Sequence, residues 1–254
     1  MAFHIYVVIL LFLTGLLFGT IAILIGLKRP LKLKRIGSYC VECNEQYEWY
    51  QLIPIVSFFI NKGECPYCHK KLSIWYPILE LLSGVLFAAA YVKYGFSYEL
   101  IIMLLMIFLS VNIFVSDFKH FIILDGPIIV FSILVLLLKY IFFGFKVFLL
   151  SICSGAIVFI FMFSIRFLGS KTFKQEALGG GDVKLALLFG FILGLRLSVV
   201  SLILGAFLAF PYAIYFTIKG KDQEIPFGPF LVLGLDIVFI FMKYIDNFLE
   251  IIFK

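Results

Sequence analysis

Charge is scarce in this sequence. Only 14% of its 254 residues are Asp, Glu, Lys or Arg, against roughly 25% in soluble domains. So few polar side chains cannot cover a water-facing surface, which excludes a soluble globular protein. What fills the space is apolar: 63% of residues are hydrophobic and the mean hydropathy is +1.13. Runs long enough to cross ~30 Å of hydrocarbon recur along the chain. No Lys or Arg precedes Lys28, so the first run lacks the basic leading region of a secretory signal and is expected to stay as a membrane anchor. No basic helix or stacking platform accompanies the net charge of +6, and nucleic acid is therefore not an expected partner. Neither an internal repeat nor a low-complexity linker is evident.

The apolar runs predict an all-α polytopic membrane protein of about eight transmembrane helices, near residues 5–26, 76–92, 98–115, 121–143, 147–168, 183–195, 197–218 and 230–253. The sixth is short enough to be merged or re-entrant. Three parts follow: a first transmembrane helix (1–26), a polar domain (27–75) and a multi-helix membrane body (76–254). Eight of the 21 Lys and Arg lie between Lys28 and Lys71, which places the polar domain in the cytoplasm and the N-terminus outside. Counting on from there, the cytoplasmic loops hold Lys119, Lys171, Lys174, Lys219 and Lys221, while the opposite loops hold only Lys93, Lys146 and Arg196.

Four of the five cysteines form two CxxC pairs in the polar domain, Cys40/Cys43 and Cys65/Cys68. Two such turns complete a tetrahedral thiolate shell with no open position, the arrangement of a structural zinc site. In the reducing cytoplasm a disulfide framework is not expected. The alternative is a set of reduced thiols or a redox pair. Gly63 and Pro66 suit a tight knuckle, and His69 is adjacent but not needed by a shell of four thiolates. Cys153 lies in an apolar run and is expected to be a small buried hydrophobe.

Ionisable groups at membrane depth are expensive and tend to be functional. Asp117, in VSDFKHFIILD, and Asp182, in ALGGGDVKL, fall on the same predicted face, at the ends of spans that can pack together. Two carboxylates sharing one site and one proton can activate a water molecule for peptide hydrolysis. Gly179, Gly180 and Gly181 allow positive φ and close approach of another backbone, and put Asp182 at or near a helix N-terminus. The competing readings are a flexible loop with an N-capping Asp182, and an interfacial Asp117 paired with Lys119.

GGGD at 179–182 matches the GxGD motif of membrane aspartyl proteases. With SDFKHFIILD, FGTI near residue 18, the CxxC pairs, YPILEL at 76–81 and IPFGPFLVLG at 225–234, the chain resembles the type IV prepilin peptidases over nearly its whole length. Leu124 stands where that family commonly has proline before the second aspartate of its first motif. Asp125 is therefore read as a helix N-cap or accessory carboxylate.

The resemblance implies a membrane aspartyl endopeptidase with Asp117 and Asp182 as its catalytic pair. Its substrates would be type IV prepilin-like precursors with a short basic leader, a glycine before the cut and an apolar helix after it. It further implies that the four-cysteine domain accompanies N-methylation of the new N-terminus by S-adenosylmethionine, at the cytoplasmic face of the cell membrane. No glycine-rich loop followed by an acidic residue marks a methyl-donor site. A peptidase without methylation and a membrane scaffold or transporter with a zinc module are the alternatives. Glu80 is read either as paired with a lysine at the membrane edge or as a contact for the substrate's basic leader or new amino terminus, Asp236 and Lys243 as a structural pair on one helix face, and His4 and His120 as surface or interfacial residues.

Overall fold

The computed structural model describes residues 2–27, 40, 43, 45–173, 178–219 and 225–252. Lys28, Arg29, Lys174 and Lys221, which bear on the orientation, lie outside the described residues. The chain forms two compact units, Met1–Lys119 and His120–Lys254, and among the described residues its regular structure is helical.

In the first unit, α1 (Ala2–Leu27) is followed by the four-cysteine segment. That segment holds a 3-10 turn (Trp49–Leu52) and a short α2 (Val56–Ile60), and leads to α3 (Trp75–Tyr94) and α4 (Tyr98–His120). Small residues bring α1 and α3 together, as they do wherever membrane helices approach without a solvent-driven force. A methyl group on Gly15 would lie 2.8 Å from the Cα of Gly84, and Ser83 Oγ donates to the Gly15 carbonyl at 2.6 Å. The C-terminal end of α1 meets α4 through Ala22 and Ile23 against Val111 and Val115. Asn112 Nδ2 donates to the Ala22 carbonyl there at 3.0 Å. α4 runs past the apolar window to His120, where Phe121 takes a left-handed φ of 54°.

In the second unit, α5 (Asp125–Phe173) and α6 (Gly180–Ile218) have 49 and 39 residues, each too long for one crossing. Each is broken at one glycine, Gly144 (φ 79°, ψ 179°) and Gly194 (φ 75°, ψ 179°), a conformation that only glycine adopts without strain. The expected pairs of spans are therefore the two halves of each helix, and the short sixth run is the first half of α6. Among the described residues, five helices are long and apolar enough to cross a membrane, and six if the bent pair α7 (Gly228–Ile240) and α8 (Met242–Ile252) counts as one.

That pair corrects the expected last span. The helices meet at 81°, and α8 buries none of its residues while carrying Lys243, Asp246, Asn247 and Glu250 along one face. Asp236 and Lys243 therefore belong to different helices and share no face. The apolar stretch 237–242 runs through the bend, and polar positions recur at helical spacing only after it. Cys153 is also corrected: it is exposed on α5 rather than buried.

The second half of α5 packs on the first half of α6 at a glycine crossing. A methyl group on Gly190 would sit 2.4 Å from the Cα of Gly155, well inside contact distance. Gly190→Ala is expected to force the helices apart and cost roughly 1–3 kcal/mol. A lowered midpoint of thermal aggregation in detergent would show this, and an unchanged midpoint would mean that the crossing yields without penalty.

Candidate active site and metal centre

Asp182 is the third residue of α6 and is 6% exposed. Its position in the first turn places it among backbone amides without helical acceptors, which favour a negative charge. The three glycines before it do not have positive φ; the left-handed glycines are Gly63, Gly95, Gly144 and Gly194. Their missing side chains serve close packing instead. A methyl group on Gly179 would lie 2.9 Å from Asp182 Oδ2, one on Gly180 2.9 Å from Arg166 Nη1, and one on Gly181 2.8 Å from Ile123 Cβ. A carboxylate, a guanidinium and a branched apolar side chain thus seat themselves on a glycine ledge. Gly179→Ala is expected to displace the Asp182 carboxylate and reduce turnover about 10- to 100-fold, while thermal stability changes little. Wild-type turnover in this variant would show that the carboxylate position is not set by the ledge.

Asp117 lies in the last turn of α4 and is also 6% exposed, beside the buried Ser116 and one turn beyond the Asn112 that ties α4 to α1. Lys119, weighed as its partner, donates to the Tyr76 hydroxyl at 3.3 Å instead. Asp117 belongs to the first unit and Asp182 to the second.

Asp125 is the first residue of α5 rather than its cap, and both its oxygens accept from Lys184 Nζ, at 2.7 and 2.8 Å. This exposed ion pair joins the start of α5 to the first turn of α6, two residues from Asp182. Partners 59 residues apart are not legible from spacing. Glu80 accepts from the Thr20 hydroxyl and the Ile55 backbone amide, and among the described residues no lysine pairs with it. His4 bonds the Tyr91 hydroxyl at 2.8 Å, in keeping with an interfacial role.

The four cysteines of the polar segment come together. Their sulfur atoms all lie within 4.8 Å of one another, with Cys40 and Cys68 3.9 Å apart. A tetrahedral thiolate shell with bonds of about 2.3 Å requires sulfur separations of about 3.8 Å, so the cluster is sized for one metal ion. Both knuckles are built alike: the Cys40 amide donates to the Glu45 carbonyl and the Cys65 amide to the Lys70 carbonyl, each at 2.9 Å. Cys65 and Cys40 are buried, whereas Cys68 is exposed. His69 turns back with φ 57° and is not in the cluster. A hydrogen bond from the backbone at Glu45 favours the Cys43 thiolate, yet desolvation and the thiols of Cys40 and Cys68 push it up to about 12. Burial and the neighbouring Cys40 and Cys65 push the Tyr47 hydroxyl up as well. Crowded thiols resist ionisation unless a cation compensates them, which is the chemistry of a metal-binding set.

Comparison with known proteins adds to this geometry. Residues 13–94 match the family model of the bacterial peptidase A24 N-terminal domain, and residues 100–214 match that of the type IV leader peptidase family. The chain is 29% identical over 244 residues to the prepilin leader peptidase/N-methyltransferase of Bacillus subtilis (strain 168), covering 94% of this chain and 96% of that protein. To the protein of that name in Myxococcus xanthus (strain DK1622) it is 30% identical over 199 residues, 74% of this chain and 56% of that one. To that of Legionella pneumophila it is 33% identical over 202 residues, 78% of this chain and 69% of that one. No solved structure matches the chain.

Proposed function

The chain belongs to the type IV leader peptidase family, multi-pass membrane enzymes that remove leaders from prepilin-like precursors, and we propose that Asp117 and Asp182 perform the cleavage. The observation that carries this assignment is the burial of both carboxylates, each 6% exposed, at helix ends of a chain with so little charge. Acting as a pair, they hold one proton between them. The ionised member takes a proton from water, whose oxygen adds to the scissile carbonyl, and the protonated member donates to the carbonyl oxygen. Collapse of the tetrahedral intermediate breaks the C–N bond, and the leaving amine departs with the proton. The test is precursor processing in membranes: Asp117→Asn and Asp182→Asn should each insert normally and leave the precursor uncut.

The positive-inside bias supports a site at the cytoplasmic face. There it suits a precursor whose basic leader stays in the cytoplasm while its apolar helix lies in the bilayer. The four-thiolate set, closed and tetrahedral, supports zinc in a structural role. The relatives' names support a second step, in which the freed α-amine receives a methyl group from S-adenosylmethionine, releasing S-adenosylhomocysteine and a proton. The scaffold or transporter reading is set aside by family membership.

A further inference from the structure

Glu80 lies in the second turn of α3 and is 9% exposed, yet among the described residues it meets no cation. Its two oxygens are held by two neutral donors from different elements, Thr20 Oγ1 of α1 at 2.8 Å and the Ile55 amide at 2.7 Å. A carboxylate so placed is costly to desolvate, and it persists where charge-assisted hydrogen bonds hold it. Ile55 is itself strained. It has φ 62° and ψ −50°, and Val56 N–H donates back to the Pro54 carbonyl at 2.5 Å. That is a γ-turn of the rare hand, centred on a β-branched residue that disfavours it. Such strain survives only where the surroundings impose it, and the turn aims the Ile55 amide at Glu80.

The contacts continue from this turn to the metal centre. Ile55 caps α2, whose Phe58 ring lies over Gly63, the left-handed residue that opens the second knuckle; a methyl group there would be 3.1 Å from Phe58 Cζ. The Gly63 amide donates to the Phe58 carbonyl at 2.8 Å, and the Leu72 amide to the Gly63 carbonyl at 2.7 Å, closing the hairpin that holds Cys65 and Cys68. A continuous path of bonds thus runs from one buried carboxylate to the thiol cluster. The attachment of α4, and with it Asp117, to α1 uses Asn112, Val111 and Val115 and does not pass through Glu80.

We propose that Glu80 is a positioning residue that fastens the metal-binding segment to the α1–α3 pair, and that this docking serves methyl transfer and not leader cleavage. The inference rests on the reading above, in which that segment accompanies methylation. Glu80→Gln removes the charge and turns one of the two acceptor oxygens into a donor, so neither charge-assisted bond to residue 80 survives. The full-length enzyme is given a precursor and S-adenosylmethionine, and both products are followed by mass spectrometry. Glu80→Gln is expected to cleave within about twofold of wild type and to methylate at least about tenfold more slowly, with faster amide exchange over residues 53–63. Ile55→Gly keeps the amide and suits the left-handed φ, so it should methylate as wild type does. Wild-type methylation by Glu80→Gln, equal loss of both activities, or unchanged exchange over 53–63 would overturn the proposal. If the wild-type enzyme cleaves but never methylates, the methylation half of the earlier reading fails, and the exchange measurement alone then decides whether Glu80 docks the segment.

Discussion

Asp182→Asn is expected to slow leader removal by about 10⁴-fold or more, the scale seen when a group essential to proton transfer is neutralised. Asparagine keeps the size and most of the hydrogen bonding of aspartate, so the side chain still fits over Gly179 and the helix still starts at Gly180. What disappears is the ability to accept or deliver a proton at water's oxygen. Asp117→Asn should match it, because a pair sharing one proton is disabled by the loss of either member. The double variant is the sharper measurement. Groups that act as a unit are not additive, so Asp117→Asn combined with Asp182→Asn should be no slower than either single change. Residual rates that multiply would mean two independent contributions and would dissolve the pair. Asp125→Asn is the internal control: its ion pair with Lys184 is exposed on both sides, where such pairs contribute at most about 1 kcal/mol.

The two buried carboxylates and the clustered thiols are legible in the sequence for physical reasons. Asp117 and Asp182 stand out because a carboxylate is rare and costly amid apolar runs, and Cys40, Cys43, Cys65 and Cys68 because metal geometry imposes their spacing. The membrane spans are legible because hydrocarbon thickness dictates their length. Other features were not. The bend at Phe241 falls within the short apolar stretch 237–242, so composition does not mark it. The glycines at 179–181 suggested a turn with positive φ, but a missing side chain can equally admit a neighbour, and only the positions of Asp182, Arg166 and Ile123 decide between the two. The partners of Glu80 and Asp125 are Thr20, the Ile55 amide and Lys184, all distant in sequence. A hydrogen bond to a backbone amide carries no sequence signal at all.

Loss of the metal should separate the two activities, whereas loss of an aspartate stops both, because the amine to be methylated is freed only by cleavage. Among its described residues, the segment around the four thiols has a 3-10 turn, a five-residue helix and an isolated bridge between Glu64 and Lys71, too little to bury a core of its own. Segments of this size depend on a metal or a disulfide for their fold, and a structural zinc ion supplies roughly 10–16 kcal/mol. Cys65, fully buried at the base of its knuckle, is the thiol whose replacement leaves the set of four incomplete, since His69 is outside the cluster. Cys65→Ser is therefore expected to reduce bound zinc from one ion per chain to near zero, measured by mass spectrometry of the metal. It should also open the segment to trypsin at Lys62, Lys70 and Lys71 and lower methylation about 100-fold or more. Leader cleavage should stay within a few-fold of wild type, because the glycine contacts of α1 with α3 and the bonds of α1 with α4 involve no residue of the segment. A Cys65→Ser protein that kept its zinc and its resistance to trypsin would remove the structural role. One that lost cleavage in step with methylation would show that the membrane helices need the metal-bound segment to hold Asp117 in place.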